Sequence, residues 1–100
     1  MQEIPIACNL TSSELRRRRA EVLPLIKAAV TDVKEIEGGY KYAFKSTPER
    51  IAQLANLVQL EHECCPFIRF CLTIEPGDGP LLLELTGPDG TKDFLKALFE

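Results

Sequence analysis

Residues 60–86 read LEHECCPFIRFCLTIEPGDGPLLLELT, and the change of periodicity inside this stretch decides the fold. Before it, Ile51, Leu54, Ala55 and Val58 recur at helical spacing; beyond Pro66 the apolar residues alternate. Proline lacks a backbone N–H and disfavours helical geometry in the residue before it, so the helix ends near Cys64. Ile68, Phe70, Leu72 and Ile74 then fall on one side of an extended strand, with Arg69, Cys71 and Thr73 on the other. The loop PGDGP (76–80) turns the chain back into a second strand, Leu81 to Thr86. A last short helix, Gly90 to Phe99, packs Phe94, Leu95 and Leu98.

Working outward towards the N-terminus, Ser46 and Glu49 form a capping box for this central helix, and Pro48 suits its first turn. Residues 31–45 carry β-branched and aromatic side chains around Gly38 and Gly39, the composition of a hairpin with a tight primed turn. Tyr40, Tyr42 and Phe44 share one face of its second arm. Before the hairpin, Thr11 and Glu14 cap a helix whose buried positions are Leu15, Val22, Leu23, Ile26, Ala29 and Val30; Pro24 should bend or break it. Ile4, Ile6 and Cys8 alternate as a first strand. The element order βαββαββα makes residues 1–100 a single α+β domain. It matches a ferredoxin-like βαββαβ antiparallel sheet with helices on one face, extended by a further strand and a C-terminal helix. In that topology the first strand lies in the sheet interior, bringing Cys8 towards Phe67 and so towards Cys64 and Cys65.

With 45% hydrophobic and 27% charged residues, this 100-residue chain has the composition of an ordinary soluble domain. Its 12 basic and 15 acidic side chains, net −3, argue against nucleic acid as a partner. No apolar run approaches the ~18 residues of a spanning helix, so no membrane partner is expected. MQEIPIACNL offers neither a basic leader nor a long apolar core, and the expectation is a cytoplasmic protein with reduced cysteines.

The chemistry-bearing residues concentrate in LEHECCPFIRF, 60–70. On a helical wheel the buried stripe continues through Glu61 and His62, two polar groups that each need a partner when buried. Glu61 reads as a surface carboxylate or a salt-bridge partner, and His62 as a helix cap or a ligand. Cys64 and Cys65 sit at a helix C-terminus with carboxylates nearby, where the negative end of the dipole raises a thiol pKa. A soft cation reverses that argument, because the same field attracts it and it deprotonates the thiols itself. Coordination through Cys8, Cys64 and Cys65, with His62 as a nitrogen donor, is therefore favoured over nucleophilic attack. The ions that suit this set are zinc, copper(I), mercury(II) or arsenite. Adjacent cysteines on a regular helix point ~100° apart, so joint ligation requires Cys65 to leave the helix, as Pro66 permits. No CxxC pair is present.

Two other readings stand beside this one. A cysteine-dependent enzyme would use His62 as base to Cys64 or Cys65, and a homodimerisation or binding module would pack the open sheet face bearing Arg69, Cys71 and Thr73. The run Arg16 to Arg19 encircles its helix and so presents no flat binding face.

ACNL, the arginine-rich first helix, ECCPF, PGDGP and TGPDG together resemble a group of small bacterial proteins with an ECCPF-type motif, often encoded beside MerR-type regulators or mercury-resistance genes. The resemblance implies a role in handling thiophilic metals or metalloids, with Cys8, Cys64 and Cys65 in the shared pattern and His62 and Cys71 outside it.

Overall fold

The computed structural model describes residues 13–99, apart from the side chain of Leu15. The expected strand at 4–8, Cys8 and the Thr11 cap lie outside the described residues. The element order is α1 (Ser13–Ala29), β1 (Val30–Ile36), β2 (Gly39–Phe44), α2 (Pro48–Cys64), β3 (Arg69–Ile74), β4 (Leu81–Thr86) and α3 (Thr91–Phe99). The protein is thus α+β, with a four-stranded antiparallel sheet and three helices.

The strand order is β1-β2-β4-β3, which corrects the ferredoxin-like expectation. In that scheme residues 4–8 would lie between β2 and β3; here β4 pairs with both and fills the place. Two physical reasons favour it. β3 and β4 are joined by a short turn, so their pairing closes a small loop at low entropic cost. Leu81, Leu83 and Leu85 are also wholly or almost wholly buried, as a central strand requires. Their register builds apolar rows across three strands: Tyr40, Leu85 and Phe70, then Tyr42, Leu83 and Leu72. Against these rows pack Ile26 of α1, Leu54 and Leu57 of α2, and Leu95 of α3, so the core lies between the sheet and the helices.

Several local expectations shift by a residue. The hairpin turn is Glu37–Gly38, because Ile36 pairs with Gly39. Gly38 has φ +79° and no non-glycine residue among the described residues has positive φ, the sign pattern of a type II turn and not of a primed one. Gly39 belongs to the ladder, where an added Cβ would lie 1.7 Å from the Leu85 carbonyl oxygen. The cap of α2 is Thr47, whose hydroxyl accepts from the Arg50 N–H at 3.1 Å, in place of Ser46. Val30 leaves the helical stripe and pairs with Phe44.

Helix α1 runs without a break through Pro24. Pro24 removes the donor for the carbonyl of Ala20, and both residues are exposed, so water can satisfy that oxygen. The buried stripe of α2 is Leu54, Leu57, Leu60, Glu61 and Cys64, with Ala55 exposed. It leads the helix into the core with its last turn carrying a carboxylate and a thiol sulfur. No helix among the described residues is long and apolar enough to cross a membrane.

Gly39→Ala is expected to destabilise the fold by at least about 3 kcal/mol, since the blocking atom is backbone and a neighbour cannot rotate away. Gly77 has φ +66° and nothing within 4 Å of an added Cβ, and Asn adopts that backbone region readily. Gly77→Asn should therefore shift stability by less than about 0.5 kcal/mol, with urea denaturation comparing the two variants.

Candidate functional site

The motif at the end of α2 is first a device for reversing the chain. The Cys65 N–H donates to the Glu61 carbonyl at 2.6 Å, completing the last helical turn. Cys65 itself leaves helical geometry at φ −124°, ψ 74°, as expected of a residue preceding proline. The Ile68 N–H then donates to the Cys65 carbonyl at 3.2 Å, closing a four-residue turn with Pro66 at its second position. Phe67 anchors the turn edge-on against Phe94 of α3, with ring centroids 5.1 Å apart.

This geometry gathers three potential donors. One carboxylate oxygen of Glu61 and the sulfurs of Cys64 and Cys65 all lie within 4.8 Å of one another. Glu61 is only 2% exposed, and both cysteines are fully buried. A buried carboxylate needs partners on both oxygens, and Glu61 has them. Arg19 Nε of α1 donates to Oε1 at 2.6 Å, and the Cys65 thiol donates to Oε2 at 3.4 Å. Helical-wheel placement of Glu61 on the buried face is therefore correct, and its role is the salt-bridge partner. No sequence signal singles out Arg19 within the run Arg16 to Arg19; only in the structure is it the one member that is not exposed.

Burial, then the negative charge of Glu61 and the hydrogen bond to it, push the Cys65 thiol up to about 12, with Arg19 pulling the other way. Cys65 is therefore a protonated thiol near neutral pH and a poor nucleophile. Cys65 and Cys71 are free, but Cys64 is disulfide-bonded, which corrects the expectation that every cysteine is reduced. A protonated Cys65 beside a disulfide sulfur is compatible with both, because exchange requires a thiolate.

The other sequence candidates are placed differently. His62 is exposed, its ring edge-on to Phe70 at 6.4 Å, and it is not among the three residues whose donor atoms converge. The wheel put it on the buried face because it borders the stripe; its polar ring turns to the solvent side. Cys71 lies opposite Glu84 in the β3–β4 ladder and is exposed on the sheet face away from the helices, with Arg69 nearby and Thr73 half-buried. That face also carries the Lys41–Glu84 pair at 3.9 Å. Cys8 lies outside the described residues. An open groove of about 690 Å³ lined by Arg16, Arg19, Leu23, Lys27 and Phe99 reaches the Arg19 side chain, the outer end of the Glu61 cluster.

Arg19→Met leaves the buried Glu61 carboxylate without its cation and should cost about 1–3 kcal/mol in chemical denaturation; adding Glu61→Leu should restore part of the loss. The thiol has its own pH signature. Its folded pKa lies above the unfolded value of about 8.5, so its contribution to stability is complete below that pH and fades as pH rises towards 12. Wild type should lose stability over that window more steeply than Cys65→Ala. In iodoacetamide labelling near neutral pH, Cys71 should react first and Cys65 only after unfolding.

Searches against protein-family models, curated proteins and solved structures find no match.

Proposed function

We propose that the reduced protein binds one soft metal ion or metalloid through the sulfurs of Cys64 and Cys65 and the carboxylate of Glu61, with Cys8 as a further sulfur donor suggested by the sequence. The observation that carries this reading is the convergence of three buried donors within 4.8 Å. Metal–sulfur bonds of ~2.3 Å span at most ~4.6 Å across a linear centre, close to the 4.8 Å within which the three donor atoms lie. Two thiolates select soft ions over magnesium or calcium. The hydrogen bond from Cys65 to Glu61 has the right form for the exchange: the ion takes the place of the thiol proton, while Arg19 continues to hold the other carboxylate oxygen.

Coordination fits the electrostatics better than catalysis does. Cys65 is held protonated first by burial and then by the Glu61 carboxylate, a group that would itself attract a cation, and His62 is exposed against Phe70, outside the donor group. The resemblance to ECCPF-type proteins near mercury-resistance genes supports the same class of ligand.

Anaerobic titration followed by native mass spectrometry tests the proposal. Reduced protein should take up one equivalent of at least one of zinc(II), copper(I), mercury(II) or arsenite, and a Cys64→Ser, Cys65→Ser double variant should lose that uptake. Glu61→Gln should weaken binding by about 10-fold or more, since it removes the charge that orders Cys65. No uptake of any of the four, or uptake unchanged in the double variant, overturns the reading.

A further inference from the structure

We propose that the groove beside the Glu61 cluster binds a free single-chain organic acid, its carboxylate between Arg16 and Arg19 and its apolar chain along Leu23 and Phe99. The groove holds about 690 Å³, the size of a small-molecule site, between one side of α1 and the end of α3. Arg16, Arg19, Leu23 and Lys27 follow one another at steps of three or four residues, so they form one stripe of α1 about 16 Å long. Three of the lining side chains are cationic and none is acidic, in a chain whose net charge is −3. The rest of the lining is apolar, with Leu23 and Phe99 half-buried and Ala20 exposed beside them. Cations at the ends and hydrocarbon between them complement an amphipathic anion.

Arg19 does not count as a whole free charge, because its Nε lies 2.6 Å from Glu61 Oε1. A guanidinium has further N–H donors beyond the one spent on Glu61, and these can hold a second carboxylate. The surplus positive charge comes from Arg16, exposed one turn earlier on the same stripe. Two guanidinium forks a turn apart suit a planar carboxylate, but a pair this open to water holds a bare anion weakly. The chain of the acid supplies the remainder by covering Leu23 and Phe99. A flat anionic bilayer fits less well: the cations line a cleft, and Arg18 is engaged with Asn56 of α2. The site is separate from the buried sulfurs and does not depend on metal uptake.

Decanoate, titrated calorimetrically into reduced, metal-free protein below its micellar concentration, tests the proposal. Acetate, decanol and phosphatidylglycerol vesicles serve as the comparison probes. One equivalent of decanoate should bind, at least about 10-fold more tightly than acetate, which lacks the chain, or decanol, which lacks the charge. Arg16→Glu and Ala20→Glu, both at exposed positions of α1, should each weaken it by at least about 10-fold while leaving the urea midpoint where it was. No decanoate binding, equal binding of decanol, binding unchanged in both variants, or capture by the vesicles without binding of free decanoate overturns the proposal. Each of these outcomes leaves the metal reading intact, since no metal is present in the titration.

Discussion

A carboxylate buried at the last full turn of α2 is the constraint on which this structure turns. Glu61 occupies a position that the helix sends into the core, where an unpaired charge would cost several kcal/mol. It is tolerated because each oxygen has a donor: Arg19 from α1 and the thiol of Cys65 from the chain just beyond the helix. The one residue thus ties two helices together, with Arg18 and Asn56 adding an exposed contact alongside, and it fixes where the Cys65 sulfur stands.

The same arrangement explains why Cys65 is chemically quiet. A thiol at the negative end of a helix dipole, out of water and donating to a carboxylate, keeps its proton. Burial contributes most to this, and the negative charge of Glu61 adds to it. Structure and chemistry are served by one short motif: Pro66 ends the helix, forces Cys65 out of it, and seats the turn that starts β3.

Much of this was legible along the chain. The switch from a period of about 3.6 to a period of 2 around Pro66 located the end of α2 and the alternating face of β3. The wheel put Glu61 inside, and Leu54 with it. It misplaced His62, because a residue at the border of a buried stripe is assigned by the packing of its neighbours and not by its angle alone. It missed Leu57 and Leu60, which α2 also buries. The two glycines of the hairpin marked the turn but not its register, which is set by the close approach of Gly39 to the backbone of β4.

What the amino-acid order determined by itself was local: the element types, the helix stop at Pro66, the two-faced strands, and a carboxylate that had to find partners. Which strand fills the centre of the sheet was decided only in three dimensions, because β2 can accept either candidate and burial of Leu81, Leu83 and Leu85 selects β4. The partner of Glu61 was likewise a tertiary choice. Arg19 lies 42 residues away, and four successive arginines on one helix are equivalent until packing sets Arg19 against the buried carboxylate and Arg18 against Asn56 at the surface. Local periodicity encodes which face is buried; it carries no information on what, across that distance, the face will meet.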